Sequence, residues 1–356
     1  MSRLAAASDG VIGVDTHRDT LAAAATDPVG GLLAQTSVSA DTAGYRRLFD
    51  FARARVPGRR CWAVEGAGSY GAGLATFLQA RGERVVEVGR PKRPARRTGA
   101  KSDALDAIRA AREALAHDHP LAPRRRGDRE ALRVLLATRH SACVAKVSAT
   151  NQLKALIVGA PEELWAELRG LASKRQITRC ARLREWPTRS LEQRMTVRAL
   201  RSTAQRIQRL AVEAAGFRAE RERLVAAIAP WLLELPGVGP ISAAQVLVSW
   251  SHAGRLRSEA ASAALAGVNP IPASSGQVTR HRLNGSGDRQ LNRALHTIVV
   301  ARLRDDPQTR AYATRRRAEG KSARDIRRCL KRVVARQLFK LLERYDRAAV
   351  ELANLS

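Results

Sequence analysis

The sequence is short of cysteine, of aromatic residues, of long apolar runs and of acidic charge. Its four cysteines, Cys61, Cys143, Cys180 and Cys329, stand apart in 356 residues with no C-x-x-C pair, which argues against a disulfide framework and a zinc ribbon. The seven histidines form no ligand cluster; His117 and His119 flank Asp118 in AHDHP, a polar loop rather than a tetrahedral metal site. Aromatic residues make up 4% of the chain, too few for an extensive base-stacking platform. No run of about 18 apolar residues offers a membrane span. The opening stretch MSRLAAASDGVIGVD has neither a long apolar segment nor a cleavage pattern. These absences predict a cytoplasmic protein with no membrane association.

Positive charge is abundant. Lys and Arg number 63 against 33 Asp and Glu, a formal net charge of +30. Such a balance says nothing about fold but makes the surface a binder of polyanions, of which nucleic acid is the commonest. With so few aromatics, binding is expected to rest on phosphate contacts. The length, with 45% hydrophobic content, is enough to bury a core in each of two or three domains.

The first third alternates. VIGVDT reads as a buried strand interrupted by Asp15, and TLAAAATD and LLAQTSVSA around a PVGG turn read as a hairpin pair. A helix follows, with Asp41 or Thr42 as its cap. RRCWAVEG is a strand ending in Glu65, SYGAGLATFLQARG a helix closed by Gly82, and ERVVEVGR another strand. A basic loop, RPKRPARRTGAK, leads to a last helix from Asp103. Three strands, then helix, strand, helix, strand, helix, is how an α/β RNase H-like (RuvC-like) domain is built, here expected over residues 9–120.

The acids sharpen that reading. Asp103 and Asp106, three apart, share one helix face, and their plainest role is to complement the helix dipole. Asp15 could equally cap a turn, and Glu65 could pair with an arginine. In an RNase H-like sheet, however, the first and fourth strands are neighbours and the last helix packs beside their ends, which gathers all four acids. Carboxylates at close range cannot all ionise without a cation. Hard oxygen ligands suit Mg²⁺ or Mn²⁺, and two such ions can clamp the attacking and leaving oxygens of a phosphodiester.

Residues 121–230 are expected to form a helical or coiled-coil connector, with long helical periodicity over 128–158 and roughly 190–230. Leu200, Ile207, Leu210, Ala214, Phe217, Leu224 and Ile228 make an apolar stripe, broken by Arg221, so strict heptads are not expected. Residues 231–345 are expected to form a mainly α C-terminal domain. In it LPGVGPISAAQVLVSW resembles a helix-hairpin-helix element in which Gly237 and Gly239 allow a tight turn that can hold a phosphate. A loop with Ser274 and Ser275 follows, flanked by Arg280, His281, Arg282, Arg289 and Arg293, cations of the kind that stabilise phosphoryl charge around a nucleophilic hydroxyl. Residues 301–340 hold 14 Lys or Arg against 4 Asp or Glu. There Ile326, Leu330, Val333, Val334, Leu338 and Leu341 are expected to face a core, while a basic face including Arg327 and Arg328 meets nucleic acid. In the basic loop, Lys92, Arg93, Arg96, Arg97 and Lys101 are expected to do the same.

The ordered set GVDTH, AVEGAGSYG, KSDALDA, LPGVGPISAAQVL, LAGVNP and SSGQ…GDRQLNRAL resembles the IS-one-ten-type insertion-sequence transposases. The resemblance covers nearly the whole chain. It implies a RuvC-like domain with an acidic quartet, a helical connection and a C-terminal transposase domain with a catalytic serine. By position the quartet matches Asp15, Glu65, Asp103 and Asp106, and the serine matches Ser275, with Ser274 adjacent. It also implies DNA substrates (element ends and target), a structured noncoding guide RNA, and a homo-oligomer between dimer and tetramer. The reading is a metal-assisted DNA recombinase working through a serine–phosphodiester intermediate. The alternative is a metal-dependent, Holliday-junction-type nuclease with water as nucleophile and no covalent intermediate.

Overall fold

The computed structural model describes residues 3–89, 103–118, 120–273, 281–282 and 284–355. The chain divides into two compact units: Met1–Arg125 with Trp250–Ser262 and Arg336–Ser356, and Arg126–Ser249 with Ala263–Ala335.

The first unit is mixed α/β. In chain order it holds α1 (Arg3–Ala7), β1 (Gly10–Thr16), β2 (Thr20–Thr26), β3 (Leu32–Ser39), α2 (Thr42–Arg55), β4 (Arg60–Glu65), α3 (Ala72–Gln79), β5 (Arg84–Val88) and α4 (Asp103–Ala116). Apart from the short α1, this is the order legible in the sequence. The β2–β3 turn closes because the Asp27 carboxylate accepts from the N–H groups of Val29 and Gly31, at 2.9 and 2.7 Å. Asp41 caps α2 by accepting from Gly44 N at 2.7 Å.

Strand order across the sheet is β3-β2-β1-β4-β5, with β1 antiparallel to β2 and parallel to β4. Period-two alternation gives the sheet two different faces. Ile12, Val14, Trp62 and Val64 pack with Leu48 of α2 and Leu74 and Leu78 of α3. Val11, Cys61, Ala63, Val86 and Val88 pack with Ala110, Ala111 and Ala114 of α4. The α4 side is lined by small residues, so the helix lies close. At Gly13 a Cβ would stand 2.0 Å from Ala107 O and 2.6 Å from Ala111 N; only glycine fits under α4 there. Cys61 is core filling on this face, and burial pushes its thiol up to about 11.

The second unit is mostly helical. Its elements, with those that continue the chain, are α5 (Asp128–Val158), α6 (Glu162–Arg169), α7 (Ser173–Ala181), α8 (Leu191–Gly216), α9 (Arg218–Ile228), α10 (Pro240–Trp250), α11 (Glu259–Leu265), β6 (Ile271–Pro272), β7 (His281–Arg282), α12 (Arg289–Asp305), α13 (Pro307–Ala318) and α14 (Ala323–Leu355). Leu153 and Ile157 of α5 pack with Leu164, Leu168, Cys180, Val197, Leu200 and Ile207 in one core. The long periodic stretch read from the sequence is two helices, because the helix stops at Gly216 and restarts at Arg218. A capping box of Ser190 and Gln193 starts α8. On α14, Ile326, Leu330, Val334 and Leu338 are buried as expected, whereas Val333 is 51% exposed. It lines a cavity instead of a core. No helix among the described residues is long and apolar enough to cross a membrane.

Candidate functional site

Strand parity decides where the acids go. Asp15 follows Val11 and Gly13 on the face of β1 that α4 covers, and Glu65 follows Cys61 and Ala63 on the same face of β4. The two strands run parallel in a register that pairs Val14 with Val64, so the next residues, Asp15, one before the end of β1, and Glu65, the last of β4, come side by side. The Thr16 hydroxyl donates to Glu65 O at 2.9 Å, tying the ends together. Asp103 opens α4 one turn before Ala107, the residue whose carbonyl lies over Gly13. The close approach at Gly13 therefore brings the first turn of α4 to the end of β1.

Asp15, His17 and Asp103 converge, with one potential ligand atom from each within 4.8 Å of the others. His17 Nε2 stands 3.3 Å from Asp15 Oδ2 and 3.2 Å from Asp103 Oδ1. Asp15 is buried, whereas His17 and Asp103 are exposed. Burial is the main reason that the Asp15 carboxyl is held above its ordinary pKa; His17 opposes the rise, and the charges of Asp103 and Asp106 add to it. Asp106 Oδ1 accepts from Arg109 at 2.7 Å. Neither Asp106 nor Glu65 belongs to the 4.8 Å group among the described residues. His17 carries no role in the sequence reading; it stands two residues beyond Asp15 in GVDTH, one past the end of β1.

Two carboxylate oxygens and an imidazole nitrogen at this spacing suit a divalent cation. The carboxylates match Mg²⁺ or Mn²⁺, and the imidazole is accepted more readily by Mn²⁺.

In the second unit, the C-terminal motif residues build a scaffold for a short hairpin. β6 pairs antiparallel with β7, Ile271 opposite Arg282 and Pro272 opposite His281, and the segment bearing the two serines runs between them. Ser274, Ser275 and Arg280 lie outside the described residues, as do Lys92, Arg93, Arg96, Arg97 and Lys101. Asn292 of α12 donates to Ala266 O at 2.7 Å and accepts from Lys331 at 2.9 Å. Asp288 caps α12, accepting from Gln290 N and Leu291 N, and accepts from the Ser249 hydroxyl at 2.5 Å. Gly287, at φ +100, leaves no room for a Cβ, which would stand 2.5 Å from Leu265 O.

Beside this hairpin lies a cavity of about 580 Å³, lined by Arg282, Arg316, Lys321, Arg328, Lys331 and Arg332 among others. Its one carboxylate among the described residues, Asp325, is already bound by Ser322 and Arg328. Burial, then the neighbouring Arg328, depresses the Lys331 pKa. Arg327 is exposed on the same helix, and Arg289 and Arg293 are exposed on α12. Gly237 adopts φ +74, and a Cβ there would stand 2.8 Å from Ile298 O, so packing on α12 alone demands glycine. Gly239 faces open space directly before α10.

Two family models match the chain. The Transposase IS116/IS110/IS902 family matches residues 229–314, which take in α10, the β6–β7 hairpin and α12. A DEDD-type IS110 model, described as Transposase, matches residues 12–161, which take in most of the sheet, α4 and α5. Together they span about two thirds of the sequence. No curated protein matches it.

Proposed function

We propose that in this chain, a DNA transposase of the IS110 type by its two family matches, Asp15, Glu65, Asp103 and Asp106 hold divalent metal for strand cleavage and Ser275 is the nucleophile. The observation that carries the metal half is the convergence of Asp15, His17 and Asp103 beside the strand end of Glu65. The order Asp, Glu, Asp, Asp agrees with the DEDD designation of the matching family. The strand order 3-2-1-4-5 supports assignment of the sheet to the RNase H-like class. On this reading residues 9–120 carry the acids, 121–230 connect, and 231–345 carry the serine.

Bound Mg²⁺ or Mn²⁺ would supply charge neutralisation and polarise the phosphodiester. The protein's part is to orient and to exchange bonds. The buried Asp15 fixes one edge of the acidic cluster, and Asp103 and Asp106 are set by the close packing of α4. Ser275 Oγ forms a bond to phosphorus as the bond to one strand oxygen breaks, and the serine proton ends on that departing oxygen. The cationic cavity beside the β6–β7 hairpin, with Arg282 and Arg328 in its wall, supports phosphate binding there. We extend the proposal to a structured noncoding guide RNA and a dimeric to tetrameric assembly. Delegated base pairing suits a chain rich in cations and poor in aromatics.

The test is to trap the covalent protein–DNA adduct with Mg²⁺ present. Ser275→Ala should bind DNA yet form no adduct, and Ser274→Ala should retain at least part of the wild-type yield. Alanine at any one of the four acids should lower cleavage by roughly 10²–10³-fold, the scale on which removing one preorganised electrostatic group acts. Cleavage without any adduct in either serine variant would favour water as the nucleophile. Sequencing the RNA that copurifies with the protein tests the guide.

A further inference from the structure

The residue that interrupts the apolar stripe of the connector, Arg221, lies on α9 and is 3% exposed. Its Nε and Nη1 are buried and find no hydrogen-bond partner among the described residues. Burial, and after it the charge of Arg139, lowers the Arg221 pKa; Glu222 partly offsets them and Arg218 adds to them. Glu222 is itself engaged by Arg218 at 2.9 Å. A guanidinium has five donors and no acceptor, and a buried charge with no partner is costly unless something completes it.

Arg221 lines a cavity of about 320 Å³. Across from α9 the wall is formed by Arg139 and Lys146 of α5 and by Pro240 and Ile241, which begin α10. That helix is 11 residues long. The carbonyl of Gly239 accepts its first helical bond, from Ala243 N at 2.9 Å. Glycine has no side chain to cap the N–H groups of Ile241 and Ser242, and no side chain among the described residues caps them, so the positive end of the helix is available to an anion. Four cationic side chains, one carboxylate already engaged and an uncapped helix start therefore surround one cavity.

We propose that this cavity is a phosphate site that takes one backbone phosphate of bound nucleic acid, with Arg221 as its buried donor. A phosphate oxyanion supplies acceptors for the guanidinium fork and charge for the helix end together. The volume lies at the small end of the range for ligand pockets, in keeping with a single phosphodiester unit and not a duplex. The proposal rests on the chain being a DNA-binding transposase; it is independent of the acidic cluster and of Ser275.

The full chain is melted in inorganic phosphate and in chloride at equal ionic strength. Phosphate should raise the wild-type Tm by roughly 2–4 °C. Arg221→Met should lose that rise while melting at or above the wild-type Tm in chloride, because an unpartnered buried charge has been removed. Arg139→Gln, at a half-buried position of the same cavity wall, should reduce the rise, and so covers a failure of Arg221→Met to fold. In the second arm, binding to a duplex is followed against salt, and Arg221→Met should shrink the log–log slope by about 0.9, one phosphate's worth of released counterions. An undiminished phosphate response in Arg221→Met, or none in the wild type, would overturn the site. A lost response with an unchanged slope would overturn its assignment to nucleic acid in favour of free phosphate. A separate Mn²⁺ titration of each variant reports on the acidic cluster, so a fault there is distinguished from one in this cavity.

Discussion

Gly13 lies so close beneath α4 that a Cβ would stand 2.0 Å from the carbonyl oxygen of Ala107. This contact sets the distance between the strand that carries Asp15 and the helix that carries Asp103. Gly13→Ala should therefore move α4 outward, destabilising the chain by about 1–3 kcal/mol through overpacking and separating Asp15 from Asp103. Thermal melts paired with Mn²⁺ titration check this. A substitution that left both unchanged would mean that α4 is not seated by Gly13.

The raised pKa of Asp15 predicts a pH-dependent stability. Its folded-state pKa lies above the ordinary value of 3.8, chiefly through burial, with Asp103 and Asp106 adding to the rise. The contribution is therefore fully present below pH 3.8 and is lost as pH rises through the elevated value. With EDTA at neutral pH, Asp15→Asn should melt higher than the wild type by about 2–4 °C, and the gap should narrow as the pH is lowered. A gap that widened on acidification would have the wrong sign for a destabilising buried carboxylate.

Arg327→Glu with Arg328→Glu should weaken nucleic-acid binding on every sequence alike. It should also reduce the log–log salt slope by about one to two, since each phosphate contact contributes about 0.9. Titrations at several salt concentrations read both effects. An unaltered slope would make this part of α14 a solvated face.

The first third of the chain was legible because its signals are local. GVIGVDT, TLAAAAT and RCWAVE are apolar runs closed by turn residues, and their order with the helices between them points to a sheet in which the strands of Asp15 and Glu65 are neighbours, as they are. The connector was less legible, because a hydrophobic stripe continues in phase through Phe217 although the helix restarts there. Val333 carries the same lesson, since its spacing suits the apolar stripe of α14 but it borders a cavity. β6 and β7, two residues each, leave no periodicity to read. His17 was hidden because a lone histidine after a strand has many ordinary uses, and its position between two carboxylates depends on a helix 86 residues further along. Arg221 was visible as a break in pattern, but its burial and missing partners belong to tertiary structure.

Direct Mn²⁺ binding to the intact protein, followed by the loss of the free-ion paramagnetic resonance signal, tests whether the end of β1 and the start of α4 form a divalent-metal site without depending on catalysis. The wild type should bind saturably, and Asp15→Asn and Asp103→Asn should each weaken binding by at least about tenfold, one decade per 1.4 kcal/mol. Equal Mn²⁺ affinity in the wild type and both variants would contradict the account.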